Sequence, residues 1–101
     1  MDPRMVKQLQ QMQEKTVKAR EDLANETVTA TAGGGAVTIE MNGHHEVKSV
    51  KIDPDAVEKE DMEMLEDMVL TAFNDALEKA QAMAQDKMSA ITGGLNIPGM
   101  F

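Results

Sequence analysis

The fold is decided by residues 61–88, which read DMEMLEDMVLTAFNDALEKAQAMAQDKM. Neither proline nor glycine interrupts this stretch, most of its residues favour helices, and Asp61 can cap its first turn. Taken at about 100° per residue, its apolar side chains share one face, namely Met62, Leu65, Val69, Ala72, Phe73, Ala76, Leu77, Ala80, Met83 and Ala84. Such a helix measures about 40 Å. We therefore expect a sheet and a second subunit to cover its apolar face.

The composition narrows the class of protein. The chain has 101 residues, with ten Met and two Phe but no Trp, Tyr or Cys. This predicts one domain with a thin, Met-rich core and favours an oligomer. Without cysteine there is no disulfide, thiolate zinc site or thiol nucleophile. The sequence offers no leader and no apolar run of membrane-spanning length, so we expect a cytoplasmic protein without a membrane partner.

Charge is distributed unevenly along the chain. The formal net charge is −8, which by itself disfavours nucleic acid as a partner. Between Arg4 and Arg20, however, there are five basic residues and one acid, Glu14. The pattern indicates a basic N-terminal arm attached to an acidic body.

The N-terminal arm is predicted to be a helix from Pro3 to about Asn25, capped by Asp2. Its apolar seam repeats with coiled-coil spacing and consists of Met5, Leu9, Met12, Thr16, Ala19 and Leu23. This seam either packs on the chain's own sheet or pairs with another helix. Because the seam is narrow and the rest of the helix is polar, we favour pairing. The predicted dimer interface is Met5, Leu9, Met12 and Leu23.

A basic stripe runs along the same helix, away from the seam. It comprises Arg4, Lys7, Gln11, Lys15 and Lys18, which lie within about 80° of one another. The stripe extends over roughly 20 Å and can neutralise several phosphates, which makes these five residues a candidate surface for nucleic acid. The alternative is an ordinary solvated helix face. The helix also carries four glutamines, Gln8, Gln10, Gln11 and Gln13. They are ordinary solvated surface or, if the helix enters a major groove, they hydrogen-bond to adenine edges.

Three strands are predicted between the helices. Residues 27–32 and 37–42 each alternate apolar and polar side chains, and Gly33-Gly34-Gly35 turns the chain between them. Asn42-Gly43 signals a second hairpin into a third strand at about residues 46–52. That strand alternates imperfectly, because Val47 and Val50 would point to opposite faces. A bulge, or a face covered by a partner, would explain this.

Two motifs suggest ligand sites but fit simpler structures better. The triple glycine lacks the strand-to-helix setting and the lysine of a P-loop, so we interpret it as a hairpin turn. His44 and His45 would point to opposite sides of a strand, and no further His or Cys is available to complete a metal site. We therefore predict exposed turn histidines, no metal and no cofactor.

The remaining segments complete the predicted architecture. Asp53-Pro54 opens a short helical turn through about Glu58, before the long helix. The predicted divisions are an N-terminal helix (1–26), a meander (27–52), a turn with the long helix (53–90) and a Gly/Pro tail (91–101), which is disordered or docked in a groove. The fold class is α+β, arranged α-β-β-β-α around a three-stranded antiparallel sheet. No catalytic constellation or small-molecule signature emerges, so we expect a protein that is not an enzyme.

The order of these motifs resembles a known family. The segments that carry the resemblance are KQLQQMQEK at 7–15, Gly33-Gly34-Gly35 before Val37 and Ile39, Asn42-Gly43, Ile52-Asp53-Pro54, MLEDMV at 64–69, AFNDA at 72–76, Lys87-Met88, and the Gly93-Gly94 and Pro98-Gly99 tail. Together they resemble the YbaB/EbfC family of bacterial nucleoid-associated proteins over essentially the whole chain. The resemblance implies an intertwined homodimer whose long helices project like tweezers. It also implies binding to duplex DNA in the nucleoid and roles in gene expression and DNA repair. On this basis the basic stripe of Arg4, Lys7, Gln11, Lys15 and Lys18 is the predicted DNA-binding site.

Two functions are consistent with these observations. The first is a dimeric architectural protein that grips duplex DNA through backbone contacts, since the arm has no aromatic side chain for stacking. The alternative is a protein-interaction module whose Met-rich helices recruit a recombination or replication partner, with DNA binding incidental.

Overall fold

Two helices flank a small sheet in the order that the sequence predicts. The structure is a computed structural model that describes residues 2–92. Its elements are α1 (Pro3–Leu23), β1 (Thr27–Ala32), β2 (Val37–Asn42), β3 (Val47–Ile52), a 3-10 turn (Pro54–Ala56) and α2 (Met62–Thr92). The α-β-β-β-α arrangement is confirmed.

Aspartate begins each helical segment, as predicted. The carboxylates of Asp2, Asp53 and Asp61 accept backbone N–H groups two or three residues further on, each at 3.0 Å. These bonds satisfy amides that have no partner inside the helix. Helix ends differ more from expectation: α1 ends at Leu23, and the 3-10 turn ends at Ala56 because Val57 is extended.

The C-terminal boundary also differs from the sequence prediction. Helix α2 continues to Thr92, so the first two residues of the predicted tail are helical. The rest of that tail, residues 93–101, lies outside the described residues.

The sheet is an antiparallel meander in the order β1-β2-β3. Glycines at 33–35 all have positive φ and form the β1–β2 turn. On β3 the register shifts: Ser49 faces Glu40 but Val47 faces Met41, which leaves Lys48 as the extra residue of a bulge. The bulge brings Val47 and Val50 onto the same face, which resolves the imperfect alternation of the sequence.

The core lies between α2 and the first two strands. Its buried members are Ala30, Val37, Ile39, Met41, Ala72, Ala76 and Ala80. The three alanines of α2 follow one another at helical spacing, and their small side chains allow the helix to lie close to the sheet. Helix α2 covers β1 and β2 but hardly touches β3.

Two residues of the predicted α2 face are not covered. Met62 and Phe73 are exposed in this chain, at 53% and 38% of their surface. Within residues 2–92, no element covers these two side chains. The expectation that a second subunit covers part of this face therefore stays a prediction.

Two lysine side chains of α2 also bond to β1 and to the residue before it. The Lys79 ammonium donates to the Thr29 carbonyl at 2.9 Å, and Lys87 forms a salt bridge with Glu26 at 2.6 Å. These contacts fix α2 along the first strand and leave β3 as the outer strand on the other side.

Candidate nucleic-acid interface

Helix α1 is attached to the body only at its C-terminal end. Ala19 and Leu23 are its buried residues, Met12, Thr16 and Asp22 are half-buried, and every other residue of the helix is exposed. The described chain is accordingly elongated, with extents of 69 × 26 × 15 Å. Most of α1 therefore forms a projecting arm.

The basic stripe lies along this arm and faces solvent. Its five members, Arg4, Lys7, Gln11, Lys15 and Lys18, are all exposed. Among residues 2–92 the one salt bridge is that of Lys87 with Glu26, so the cations of the stripe pair with no described acid. From Arg4 to Lys18 the stripe measures about 21 Å at 1.5 Å per residue. The structure thus exposes all five predicted residues along one side of the helix, where Glu14 is the neighbouring acid.

Many of the acids lie at the other end of the sheet. Gly43, in the β2–β3 turn, contacts Leu23 at the base of α1, whereas Gly33, in the β1–β2 turn, contacts Met68 of α2. The two turns occupy opposite ends of β2. The acidic first turns of α2 are therefore separated from the arm by the length of the sheet, so the basic stripe keeps its own local positive field.

The apolar seam of α1 has two different environments. Leu23, predicted at the dimer interface, is only 4% exposed because it packs against Gly43 of the same chain, and Ala19 is also buried. Leu23 is therefore not available to a partner helix. Met5 and Leu9 remain about half exposed, and Met12 is half-buried. The C-terminal half of the seam packs within the chain, while the N-terminal half stays open.

The third strand carries an uncovered apolar surface, for which the sequence suggested either a bulge or a face covered by a partner. Val47, Val50 and Ile52 lie on the same face as the buried residues of β2, yet they are 42%, 50% and 44% exposed. The sequence carries a signal for it, namely three apolar residues on a strand whose simple alternation would divide them between two faces.

The histidines belong to the β2–β3 turn. His44 Nε2 lies 2.6 Å from the Arg20 carbonyl, and His45 adopts a positive φ of 64°. Within residues 2–92 there is no group of three or more His, Cys, Asp or Glu side chains that could hold a metal ion. The predicted Asn42-Gly43 turn is confirmed, although His45 rather than Gly43 supplies the positive φ.

The groove beside the arm is open to solvent. A groove of about 850 Å³ runs beside α1 and is lined by Gln10, Gln13, Glu14, Val17, Lys18, Glu21 and Asp22. All of these residues belong to one helix, so the groove is an open surface rather than a small-molecule pocket. Over residues 2–92, moreover, neither helix is both long and apolar enough to cross a membrane.

Comparison with known proteins assigns the family. The model of the YbaB/EbfC DNA-binding family matches residues 1–95. The chain belongs to this family. An exposed basic arm is therefore found on a member of a DNA-binding family.

Relatives of this YbaB/EbfC chain carry a consistent description. A protein of Pelotomaculum thermopropionicum, named a nucleoid-associated protein, is 50% identical over 97% of this chain and 93% of its own length. A nucleoid-associated protein of Thermoanaerobacter pseudethanolicus is 55% identical over 96% of this chain and 87% of its own length. A further one, from Chloroflexus aurantiacus, is 49% identical and is matched over the whole of both chains.

A solved structure supports the fold of this YbaB/EbfC member. An uncharacterized protein from Helicobacter pylori superposes with a TM-score of 0.71 at 24% identity, over 85% of this chain and 91% of that one. At this identity the similarity concerns the fold alone.

Proposed function

We propose that this protein binds duplex DNA with little sequence specificity, as a homodimer, through the basic stripe of α1. The observation that carries the proposal is the exposed, unpaired row of Arg4, Lys7, Lys15 and Lys18 on one face of a projecting helix. Membership of a DNA-binding family supports the choice of ligand.

Binding works through the phosphate backbone. Each strand of B-DNA presents a phosphate every 3.4 Å along the axis, so a stripe of about 21 Å meets several of them. Lysine and arginine position the helix on the backbone without reading bases. Gln11 lies within the stripe and donates an amide hydrogen bond to a phosphate or an adenine edge.

The homodimer is supported by the uncovered surface on β3. Val47, Val50 and Ile52 continue the face that α2 buries on β1 and β2, yet all three are exposed. Burying the exposed half of a Val or Ile side chain contributes about 1 kcal/mol to the free energy of association. A second copy supplies an identical surface, so a two-fold contact covers both at once. The open half of the α1 seam, with Met5, Leu9 and Met12, forms a second contact between copies.

Two arms on one dimer explain how an acidic protein holds DNA. Each arm contributes its own stripe, and the acids of the bodies face away from the duplex. We place the protein in the nucleoid of the cytoplasm, where it acts by binding rather than catalysis in an architectural role in gene expression or DNA repair. The naming of its relatives as nucleoid-associated proteins supports this location.

The test is fluorescence anisotropy of a labelled random-sequence duplex at several salt concentrations, with the mass of the protein measured in parallel. Log affinity should fall linearly with log salt with a slope of about 3 to 6, as expected when cations of two stripes displace counterions from phosphates. Absence of binding at low salt would overturn the proposal.

A pair of matched variants locates the site. Reversing Lys7, Lys15 and Lys18 to Glu should abolish binding while circular dichroism stays unchanged. Reversing Lys48, Lys51 and Lys59 to Glu alters the net charge equally on exposed residues outside the arm. If both variants keep the mass of the wild type and lose affinity to the same extent, overall charge rather than the stripe is responsible.

A second candidate function has its own supporting observation. Met62, Met64 and Leu70 of α2 are each more than half exposed, and methionine surfaces adapt to varied partners. These residues would recruit a recombination or repair protein. A stoichiometric partner retained after nuclease treatment, and lost in a Met64→Glu variant, would favour this function.

A further inference from the structure

The base of the arm packs against α2, and one turn of the sheet forms hydrogen bonds with the end of the helix. Residues 42–44 of the β2–β3 turn contact three backbone carbonyls at the end of α1: Gly43 N–H donates to Leu23 at 2.9 Å, the Asn42 amide donates to Ala24 at 3.0 Å, and His44 Nε2 donates to Arg20 at 2.6 Å. A carbonyl oxygen only accepts, so Nε2 carries the proton in this contact.

These three bonds complete the hydrogen bonding of the helix end. The last carbonyls of a helix lack partners inside it. Here Ala24 N–H bonds the Glu21 carbonyl, while the amides of Asn25 and Glu26 bond that of Asp22. The carbonyls of Arg20, Leu23 and Ala24 remain, and the turn bonds all of them.

The Asn42 side chain is held in place by hydrogen bonds within its own turn. Its side chain is fully buried, and Oδ1 accepts the backbone N–H groups of His44 and Glu46, each at 2.9 Å. The amide nitrogen divides its two protons between Ala24 and the Glu46 carboxylate, at 3.0 Å each. All four hydrogen-bonding positions of the side chain are used, so its geometry is rigid.

Gly43 is required by the close approach of the helix. Its φ is not in the left-handed region, unlike that of Gly33, Gly34 and Gly35. A Cβ at this position would lie 2.5 Å from Leu23 Cδ2 and 2.8 Å from Leu23 Cβ. Any larger residue would therefore push the end of α1 away from the turn.

The arm acts as a lever on this small base. From Arg20 to Arg4 the helix extends about 24 Å, and a rotation of about 20° at the base moves Arg4 by about 8 Å. That displacement is more than twice the 3.4 Å axial spacing of phosphates on a strand. The direction of the arm thus decides whether its cations meet the backbone.

We propose that Asn42, Gly43 and His44 are positioning residues for DNA binding: they hold α1 at a fixed angle to the sheet and so aim the basic stripe. The proposal rests on the proposed DNA-binding function, but the fixed angle is a property of the protein without DNA.

The angle is measurable directly, because the chain contains no native cysteine. Nitroxide labels at Gln8→Cys on the arm and Thr31→Cys on the sheet report their separation by double electron–electron resonance. Labelled chains are diluted into unlabelled protein, so that distances within one chain dominate. The wild type should give one narrow distance distribution.

Three variants test the turn. His44→Leu removes the donor to Arg20, whereas His44→Gln places an amide N–H where Nε2 was. Gly43→Ala displaces Leu23. His44→Leu and Gly43→Ala should broaden the distance distribution and weaken DNA binding about threefold to tenfold with an unchanged salt slope, as loss of one hydrogen bond implies. His44→Gln should restore both measurements, which a general loss of stability would not explain.

The outcomes separate the two proposals. Narrow, wild-type distances in both His44→Leu and Gly43→Ala would overturn the fixed-angle proposal whatever the DNA result. Broadened distances with unchanged DNA affinity would overturn the positioning role. Absence of DNA binding by the wild type would refute the proposed function and with it the aiming role, while the distances would still show whether the turn fixes the arm.

Discussion

Val50 lies directly opposite Ile39 across the β2–β3 pair, yet Ile39 is 1% exposed beneath α2 and Val50 is 50% exposed. Cross-strand partners occupy the same face of a sheet, so the two side chains differ only in what covers them. Helix α2 covers the first two strands of the sheet but not β3. The uncovered third of this face is the surface that we assign to the second copy.

Val50→Glu should therefore weaken self-association at least about tenfold, because it places an unpaired carboxylate in an apolar contact. Sedimentation velocity over a dilution series measures the effect. Thr31→Glu introduces the same charge on the polar face of the sheet and should leave association unchanged.

A Leu9→Glu variant, measured alongside, reports the contribution of the α1 seam. If Val50→Glu associates like the wild type while Leu9→Glu is monomeric, the seam rather than β3 holds the copies together.

Gly33 and Gly34 form a natural pair for testing the β1–β2 turn. Both have positive φ, at 65° and 68°, but a Cβ on Gly33 would overlap the Met68 sulfur, whereas one on Gly34 would meet nothing within 4 Å. Alanine at either position should cost about 1–2 kcal/mol for the left-handed conformation. Gly33→Ala should cost about 1–3 kcal/mol more, because it overpacks against α2. Urea unfolding of the two variants measures the difference, and equal losses would contradict the packing argument.

Ala76 tests how closely α2 approaches the sheet. Its side chain is fully buried between α2 and the strands. Ala76→Leu should lower the free energy of unfolding by about 1–3 kcal/mol, since the core has no room for three more carbon atoms. Gln81→Leu makes a similar change on the exposed side of the same helix and should alter stability by less than about 0.5 kcal/mol. Thermal unfolding with equal effects in both variants would show that α2 is loosely packed.

Through Glu46, the stability of the folded protein should decrease at acidic pH. The hydrogen bond from the Asn42 amide, followed by the charge of Lys48, lowers the pKa of Glu46 below its usual 4.5, against an opposing effect of desolvation. A carboxylate with a lowered pKa stabilises the folded state above its unfolded pKa, and this contribution disappears as the pH falls through the folded value. Wild type should thus be more stable than Glu46→Gln at pH 7, with the difference shrinking below about pH 4.5. If the stability difference between the two proteins stays constant down to pH 3, the charge of Glu46 does not contribute to stability. Chemical unfolding across this range measures it.

The sequence predicted those features whose cause is local. Asp2, Asp53 and Asp61 begin helical segments because a carboxylate needs only the next few amides to act as a cap. The stripe from Arg4 to Lys18 was also predictable, since helical periodicity alone places its residues on one face. Three strands followed from alternation and glycine turns.

Features that depend on distant parts of the chain were not predictable. Gly43 looks like a turn glycine, but its size is required by Leu23, which lies twenty residues earlier. Leu23 looks like part of a seam, yet it packs inside the chain. Phe73 has the spacing of a buried residue and is left exposed, because burial depends on which strands α2 reaches. No local pattern encodes such contacts.

The bond from Lys79 to Thr29 limits growth of the sheet. An unpaired outer strand is a template onto which further strands add, and a chain with two such edges would build open-ended filaments. Here an ammonium group binds a carbonyl of β1, so the two edges of the sheet differ and we expect addition on the β3 side. Assembly through one edge stops after a single pairing event. A dimer of the kind that we propose can therefore keep an apolar strand accessible at its interface without building longer filaments.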